Sequence, residues 1–305
     1  YILILPVWGI VSDFLSFFSR KPAFGAKATI ISMIAISVLS MVVYGHHMFT
    51  TGLSPLLTSA FVTLTLLISI PSGVFFLNWL GTMWKGSIRL TTPMWFSIGV
   101  VFTFGLGGLT GLHLGAVGTN ILLHNTYFVV GHFHLTMAVA SLLGTLGAVY
   151  FWFPKMFGRM LNETLGKIHC ALTAIPAVFI FCSMFIAGYD GMQRRIYNPY
   201  EYNFLKHLLG LNQFIGVWVA IAFVAQFIFV FNLIQSLRSG KVAPANPWDV
   251  GTLEWTIPSP APFHNFETIP TVVTGPHEFN NPKFTTRAFI YQNEYVEGVS
   301  QKAHS

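Results

Sequence analysis

The sequence predicts an all-α membrane protein, a polytopic bundle of about seven transmembrane helices. Only 9% of the 305 residues are charged and 53% are hydrophobic, whereas soluble domains usually carry about a quarter of charged residues. Four long stretches contain no Asp, Glu, Lys or Arg: residues 28–84, 90–154, 168–189 and 207–237. A helix needs roughly 20 apolar residues to cross a bilayer, and lipid offers no partners to the backbone groups of open, non-helical structures.

Several apolar runs fit this length, and Gly, Pro and Thr residues divide the longer stretches. These runs are apolar at both odd and even positions, whereas strands of a transmembrane barrel alternate over about ten residues. We expect residues 1–239 to form one transmembrane helical bundle. Residues 240–305 are polar and contain several prolines, which predicts an extended cytoplasmic tail with little core of its own. The predicted spans are residues 1–18, 27–45, 54–83, 94–112, 122–153, 167–189 and 207–237.

Basic residues follow every second span, and this alternation predicts that these loops and the C-terminal tail are cytoplasmic. The formal net charge is +6, but the basic residues lie between apolar spans and form no motif for binding nucleic acid. The sequence opens at Tyr1 inside an apolar run, without an initiator Met or a basic leader. We therefore expect it to begin within a longer protein, not with a signal peptide. The basic residues that follow these alternate spans are Arg20, Lys21, Lys27, Lys85, Arg89, Lys155, Arg159, Lys167, Arg238 and Lys241.

Two histidines inside the fifth span give the most specific chemical signal. His132 and His134 lie two residues apart, so their side chains point about 200° apart on a helix. One metal ion cannot bind both, but two centres on opposite sides of the helix can, and imidazole is a usual axial ligand of haem iron. Ionisable groups inside spans are costly and usually functional. We therefore predict one helix between two haems; hydrogen-bonded core histidines are the alternative.

Two further pairs lie toward the predicted outer side. His46 and His47 are adjacent near the end of the second span, where both imidazoles can reach one copper, zinc or iron ion if a further ligand comes from elsewhere. A polar helix cap is the alternative for this pair. Arg194 and Arg195 lie on the outer loop 190–206. Guanidinium groups bind carboxylates through two hydrogen bonds, so this pair is a candidate to bind haem propionates, or else lipid headgroups.

In their order and spacing these residues resemble subunit I of the haem–copper oxidases, over roughly residues 1–268. The segment that starts at Tyr1 resembles the end of the family's His-Pro-Glu-Val-Tyr motif and the residues after it, with only the Tyr of the motif retained. The other resembling segments are His46-His47-Met48-Phe49, His132-Phe133-His134, Met192-Gln193-Arg194-Arg195, Leu253-Glu254-Trp255 and Phe263-His264-Asn265-Phe266. The resemblance implies a twelve-helix fold, which this chain enters at the sixth helix.

The resemblance also implies roles at the centre that reduces oxygen. His132 would be the ligand of the high-spin haem iron, and His134 a ligand of the low-spin haem iron. His46 and His47 would be two of the three ligands of the copper that faces the high-spin haem. Tyr1 would be the catalytic tyrosine, cross-linked to the third copper histidine, which supplies an electron and a proton when the O–O bond is cleaved.

Around this centre the resemblance implies supporting groups. Arg194 and Arg195 would bind the haem propionates, and His124 with Asn125 would lie in the region of a magnesium site. Asn125 and Asn120 stand where many members have Asp, and a neutral amide is a weaker ligand for hard cations than a carboxylate. This departure weakens the expectation of bound magnesium.

Other departures concern ligands and protons. The third copper histidine, the Glu of the motif and the second low-spin haem ligand lie upstream of Tyr1 in the family, so this chain alone does not supply a complete site. Phe75 stands where many members have a proton-conducting lysine. We therefore expect an altered proton path through hydroxyl groups and water, with Ser12 and Ser72 as the candidates.

The function implied is that of a terminal oxidase, cytochrome c oxidase-like, that reduces O₂ to water and moves protons. Its implied partners are oxidase subunits II and III, membrane lipid, and cytochrome c or quinol as the electron donor. We expect a multi-pass protein of a bacterial or archaeal plasma membrane. Three alternatives stay open: a nitric-oxide reductase, which shares the fold and the histidines; a seven-span transporter or channel; and an inactive fragment.

Overall fold

The computed structural model describes residues 1–284 and 287–300. Within these ranges the chain forms helices and no named β-strand, so the prediction of an all-α protein is confirmed. A π-helical segment, His134–Val139, joins the sixth helix to the seventh. The α-helices of the described residues are α1 (Ile4–Ser19), α2 (Ala26–Ser40), α3 (Pro55–Met83), α4 (Thr92–Gly115), α5 (Val117–Leu123), α6 (Tyr127–Phe133), α7 (Ala140–Phe157), α8 (Glu163–Tyr189) and α9 (Leu209–Ser239).

The helices are those of an integral membrane protein. The two shorter apolar helices, Ile4–Ser19 and Ala26–Ser40, correspond to the first two predicted spans. The second of these helices ends at Ser40, whereas the sequence predicts that this span ends at residue 45. The chain then continues as a 3₁₀ helix, Tyr44–Met48. Five helical segments of the described chain are long and apolar enough to cross a membrane: Pro55–Met83, Thr92–Gly115, Tyr127–Phe157, Glu163–Tyr189 and Asn203–Ser239.

The helix that carries the two central histidines begins later than predicted. The sequence predicts a span from residue 122, but the helix starts at Tyr127. Asn125 has a left-handed backbone (φ 59°), and the Thr126 hydroxyl accepts the amide of Phe128 as an N-cap at 3.2 Å. Both residue types favour helix ends over helix interiors. His124 and Asn125 therefore lie in a loop ahead of the helix.

Helix α4 is the centre of the bundle and packs against α1, α3, α7 and α8, while α9 packs along α8. Aromatic side chains form much of the core around α1. Trp8 stacks on Phe75 with ring centroids 4.8 Å apart and meets Phe104 edge-on at 4.9 Å. Gly188 lets α8 approach α6 closely, because a Cβ atom there would lie 2.1 Å from the amide nitrogen of Phe128.

The tail packs across the end of the bundle that carries the basic loops. The Trp248 indole donates to the carbonyl of Phe151 at 2.9 Å, and Arg89 pairs with Asp249 at 2.7 Å. Trp248 and Trp255 belong to the same hydrophobic core as the helices. Among the described residues the tail's one helical element is the 3₁₀ turn Leu253–Thr256.

Candidate metal centre

His132 lies in α6 and faces α4. Its Nδ1 atom is 2.9 Å from the carbonyl oxygen of Gly107 and 3.0 Å from the hydroxyl of Thr110. When Nδ1 donates its proton to a carbonyl, Nε2 keeps a lone pair free for a metal. A Cβ atom at Gly111 would lie 3.1 Å from Cε1 of His132, so this glycine leaves room for the imidazole ring.

His134 begins the π-helical segment and faces α8 instead. Its ring stacks on Phe181, with centroids 4.7 Å apart and an interplanar angle of 16°. Its Nδ1 atom lies 2.8 Å from the carbonyl oxygen of Val130, which again leaves Nε2 free to bind a metal. The two histidines are therefore directed to different neighbouring helices, and each has a backbone carbonyl that selects the same tautomer. Single π turns are frequent at functional sites.

His46 and His47 lie on the 3₁₀ helix after α2. Their Nε2 atoms are 3.0 Å apart, and Nδ1 of His46 lies 3.2 Å from the hydroxyl of Thr65 on α3. Two nitrogens bound at about 2.0–2.1 Å to one ion, roughly at a right angle, would have about this separation. The pair alone is an incomplete site, since no group of three or more His, Cys, Asp or Glu side chains among the described residues could hold a metal ion.

His46 and His47 lie close enough to His132 for their charges to influence one another. Burial lowers the pKa of His46 to about 4, and the neighbouring His47 and His132 act in the same direction. Neutral imidazole is the form that binds a metal. These surroundings therefore favour the neutral imidazole of His46.

The outer loop pairs with the segment that precedes α6. The amide of Tyr127 donates to the carbonyl of Met192 at 2.9 Å, and the amide of Arg194 donates to the carbonyl of Asn125 at 2.8 Å. An isolated antiparallel bridge between residues 126 and 193 lies between these bonds. The fold thus joins the segment predicted for the magnesium region to the segment predicted for the propionates.

The two arginines of that loop have different surroundings. Nη2 of Arg194 donates to Oδ1 of Asn125 at 3.1 Å, and its Nε is buried without a hydrogen-bond partner in the part of the chain that the structure describes. Burial, and then the charge of Arg194, lower the pKa of His124, whose Nδ1 lies 3.1 Å from Oδ1 of Asn120. Arg195 is exposed and has a left-handed backbone (φ 67°). Arg194 is therefore the arginine that the fold holds beside His124.

Of the two serines predicted for proton movement, Ser12 contacts an aromatic cluster. The hydroxyl of Ser12 donates to the carbonyl of Trp8 at 2.7 Å and accepts the indole N–H of Trp79 at 2.8 Å. Ser72 donates to a carbonyl of its own helix at 2.8 Å. Phe75 is fully buried and stacks on Trp8. Apolar rings thus surround Phe75, the position at which the resemblance places a lysine in many members of the family.

Tyr1 is 46% exposed. Its carbonyl oxygen accepts the amide of Leu5 at 3.1 Å, and no side-chain hydrogen bond joins its phenol to any residue in the described ranges. The structure brings His46, His47 and His132 into one region, and it brings His124, Asn125 and Arg194 into another nearby. No hydrogen bond among the described residues joins the Tyr1 phenol to either group.

Sequence reasoning missed the residues that orient the histidines, namely Gly107, Thr110 and Phe181. One signal was available, because residues 105–111 contain four glycines within a membrane span, and small residues mark close helix contacts in membranes. The two cavities described next do not mark the site. A cavity of about 300 Å³ lies in the tail, and an apolar groove of about 220 Å³ lies between α4 and α8; neither is lined by a predicted site residue.

Residues 1–243 match the family model described as cytochrome C and quinol oxidase polypeptide I. The alternative cytochrome c oxidase subunit 1 of Bradyrhizobium diazoefficiens is 41% identical over 308 aligned residues, which cover 98% of this chain and 52% of the relative. Cytochrome c oxidase subunit 1 of a Synechocystis species is 42% identical, over 92% of this chain and 50% of the relative. The corresponding protein of Corynebacterium diphtheriae is 41% identical, over 100% of this chain and 52% of the relative.

A solved structure of a haem–copper terminal oxidase dimer has a similar fold. The TM-score is 0.70 at 20% sequence identity, and the alignment covers 79% of this chain and 48% of that chain. This chain therefore spans about half the length of the curated relatives it matches, and about half of the solved chain.

Proposed function

Because the chain belongs to the cytochrome c and quinol oxidase polypeptide I family, we propose that it is part of the catalytic subunit of a respiratory terminal oxidase. That enzyme would reduce O₂ to water at a haem–copper centre with electrons from cytochrome c, and couple the reduction to proton translocation. The family implies haem and copper as cofactors. The observation that supports the proposal best is that His132 faces α4 and His134 faces α8, each with Nδ1 at a backbone carbonyl.

The histidines of α6 and the π segment fit haem iron in their donor chemistry. A ligand to haem iron must present an unprotonated imidazole nitrogen in a fixed direction. The carbonyls of Gly107 and Val130 select that form for His132 and His134, and Phe181 holds the second ring by stacking. We propose that His132 holds the high-spin haem iron and His134 the low-spin haem iron. A second axial ligand of the low-spin haem would come from outside this chain.

The His46–His47 pair fits copper, because imidazole nitrogens are suitable ligands for that metal. The 3.0 Å separation of the two Nε2 atoms corresponds to neighbouring ligands of one ion, and Thr65 restrains the orientation of the first ring. We propose that both bind the copper, with a third ligand from outside this chain. When bound, the haem irons and the copper supply the oxygen binding and the electrons for O₂ reduction.

Arg194 fits a carboxylate such as a haem propionate, because its buried Nε has no partner among the described residues and guanidinium binds carboxylates well. Arg195 is exposed, so we propose for it a peripheral contact to the same groups. His124 and Asn125 would form the protein side of the magnesium region. Their ligand set contains one imidazole and one amide and no carboxylate, which fits magnesium poorly.

For the remaining chemistry we propose that the Tyr1 phenol supplies a proton and an electron, and that Ser12 and Ser72 help protons to enter. Oxidase subunits II and III, membrane lipid, O₂ and the electron donor would be the partners. Cytochrome c is the proposed donor and quinol is the alternative. The proposed location is the plasma membrane of a bacterial or archaeal cell, with the C-terminus in the cytoplasm, because the basic loops and the tail share one end of the bundle.

An optical experiment on the complete oxidase complex tests this function. Dithionite-reduced minus oxidised spectra, with and without carbon monoxide, should show two haems of which only one binds the gas. His134→Leu should remove the haem that does not bind carbon monoxide, and His132→Leu should remove carbon monoxide binding.

His113→Leu is the matched control, since His113 is an exposed histidine at the end of α4. This variant should keep both spectral components. Oxygen consumption with reduced cytochrome c or with quinol then identifies the donor. Complete, unaltered haem spectra in both His132→Leu and His134→Leu would show that these residues are not the ligands.

A further inference from the structure

The groove between α4 and α8 has no role in the site described above. Its volume is about 220 Å³, and three of the side chains that line it, Phe102, Ile175 and Phe179, are 57%, 52% and 42% exposed. It therefore opens at the surface of the bundle. Thr103, a polar residue of the lining, donates its hydroxyl to the carbonyl of Gly99 on its own helix at 2.8 Å. Such a lining favours an apolar occupant.

The groove lies at the depth of the hydrocarbon layer. Helices α4 and α8 are both long and apolar enough to cross a membrane. The amide of Thr92, the first residue of α4, donates to the carboxylate of Glu163, the first residue of α8, at 2.9 Å, so both helices start at one level. At about 1.5 Å of rise per residue, the groove residues lie roughly 10–24 Å from this level, within a hydrocarbon core of about 30 Å.

Lys167 lies at the headgroup end of the groove and is partly exposed. It shares a face of α8 with two groove residues, Ala174 and Val178, because these three positions fall within the same stripe of a 3.6-residue helix. Side chains tilt toward the helix N-terminus, so the ammonium extends away from the hydrocarbon. Glu163, one turn earlier, gives its carboxylate to Thr92. Lys167 forms no ion pair in the described part of the chain, so its charge is available to an anion outside the protein.

Trp95 lies at the same end of the groove, on α4. It is in the first turn of the helix and shares a face with the groove residues Gly99 and Phe102. Its side chain is 37% exposed, and its indole N–H makes no hydrogen bond within the described ranges. Trp is enriched where a bilayer meets water, because its ring is apolar and its N–H is polar. Both helices that form the groove therefore carry a side chain suited to a lipid headgroup.

We propose that the groove binds an acyl chain of a phospholipid whose anionic headgroup lies at Lys167 and Trp95. Basic side chains at the membrane surface attract anionic headgroups, and a hydrocarbon chain suits a lining without free polar groups. A helix of a partner subunit is about 10–12 Å across, so it would cover this groove without filling it. The inference needs only the membrane location of the two helices and does not depend on the oxidase function.

The test uses the full-length protein in its complete complex, reconstituted into phosphatidylcholine vesicles. A small fraction of the lipid is phosphatidylglycerol or, in a parallel sample, phosphatidylcholine, with the same photoreactive diazirine on one acyl chain. After illumination, mass spectrometry measures the labelling of the groove residues of α4 and α8. Lys167→Gln removes the charge, and Val178→Phe fills the groove. Lys27→Gln is the matched control, because Lys27 is an exposed lysine near the start of α2, which does not line the groove.

In the parent, the phosphatidylglycerol probe should label the groove several-fold more than the phosphatidylcholine probe. This comparison uses the parent alone, so it decides the proposal even where a variant fails to assemble. With intact haem spectra, Lys167→Gln should lower labelling by the phosphatidylglycerol probe about fivefold, and Lys27→Gln should retain the parental level. Val178→Phe should abolish labelling by both probes.

Three outcomes overturn the proposal. Equal labelling of the parent by the two probes would mean that ordinary bilayer lipid fills the groove. An equal loss in Lys27→Gln and Lys167→Gln would mean that general surface charge, not Lys167, attracts the lipid. An unlabelled groove in the parent would mean that a helix of a partner subunit covers it.

Discussion

The carboxylate of Glu163 accepts two hydrogen bonds from Thr92, one from its backbone amide at 2.9 Å and one from its hydroxyl at 3.1 Å. Glu163 is the first residue of α8, and Thr92 is the first residue of α4. One carboxylate therefore serves the N-terminal turns of two helices, where unpaired amides and the helix dipole favour negative charge.

Glu163→Ala should destabilise the protein by about 1–2 kcal/mol, because the Thr92 amide loses its acceptor and both helix ends lose a negative charge. The measurement is the thermal unfolding midpoint of the detergent-purified complex. Glu267→Ala is the control, since Glu267 is exposed in the tail. Equal midpoints for the two variants would show that this contact does not stabilise the bundle.

The side chain of Asn232 anchors helix α9 to the start of α8. Asn232 on α9 is fully buried, accepts the amide of Asn162 at 2.9 Å and donates to its carbonyl at 3.1 Å. Asn232→Leu should cost about 1–3 kcal/mol, because the amide of Asn162 loses its acceptor. Thermal unfolding again measures the change, with the exposed Gln235→Leu on the same helix as the control. A midpoint that falls no further in Asn232→Leu than in Gln235→Leu would rule out this anchor.

Much of the fold could be predicted because charge is so unevenly distributed. The four charge-free stretches cover most of the residues of α2 to α9, whereas α1 carries Asp13, and α8 ends at Tyr189 as predicted. The start of α6 could not be located in this way. The amide of Thr126 donates to the carbonyl of Leu123, the last residue of α5, at 3.1 Å, and its hydroxyl caps α6. Asn125 lies between them with a left-handed backbone. These residues lie inside a stretch without charge, so the composition does not change there.

The candidate site could be predicted only in part, for a related reason. The spacing of His132 and His134 predicts opposite directions on any helix. It does not say which helices they face, because that depends on the packing of α4 and α8 against α6. The hydrogen bond between Asp13 of α1 and His277 of the tail joins residues 264 positions apart, and no local pattern in the sequence reports such a separation.

His46 and His47, which follow α2, should determine how much copper the complex binds. His46→Ala should lower the ratio of copper to haem iron in the purified complex, because the 3.0 Å pair of Nε2 atoms would be reduced to one imidazole. Elemental analysis of copper and iron measures the ratio. His264→Ala, in the exposed part of the tail, should leave it unchanged. Parental copper content in His46→Ala, at normal haem content, would contradict the proposed copper ligand.

Lys155 should anchor the tail to the end of α7. Its ammonium donates to the carbonyl oxygens of Ile257 at 2.7 Å and Ala245 at 3.1 Å, and a third bond reaches Pro258 at 3.2 Å. The ammonium also lies 4.9 Å from the ring centroid of Trp255, at a distance typical of a cation–π contact.

Lys155→Met retains most of the side-chain volume but removes every one of these bonds, so two segments of the tail lose the group that joins them. Limited proteolysis of the purified complex should then cleave between residues 245 and 258 faster than in the parent, because local unfolding exposes the backbone. Lys167→Met is the matched control, since Lys167 makes no side-chain hydrogen bond to another described residue. Cleavage at the parental rate in Lys155→Met would mean that the buried aromatic residues of the tail hold it in place without the lysine.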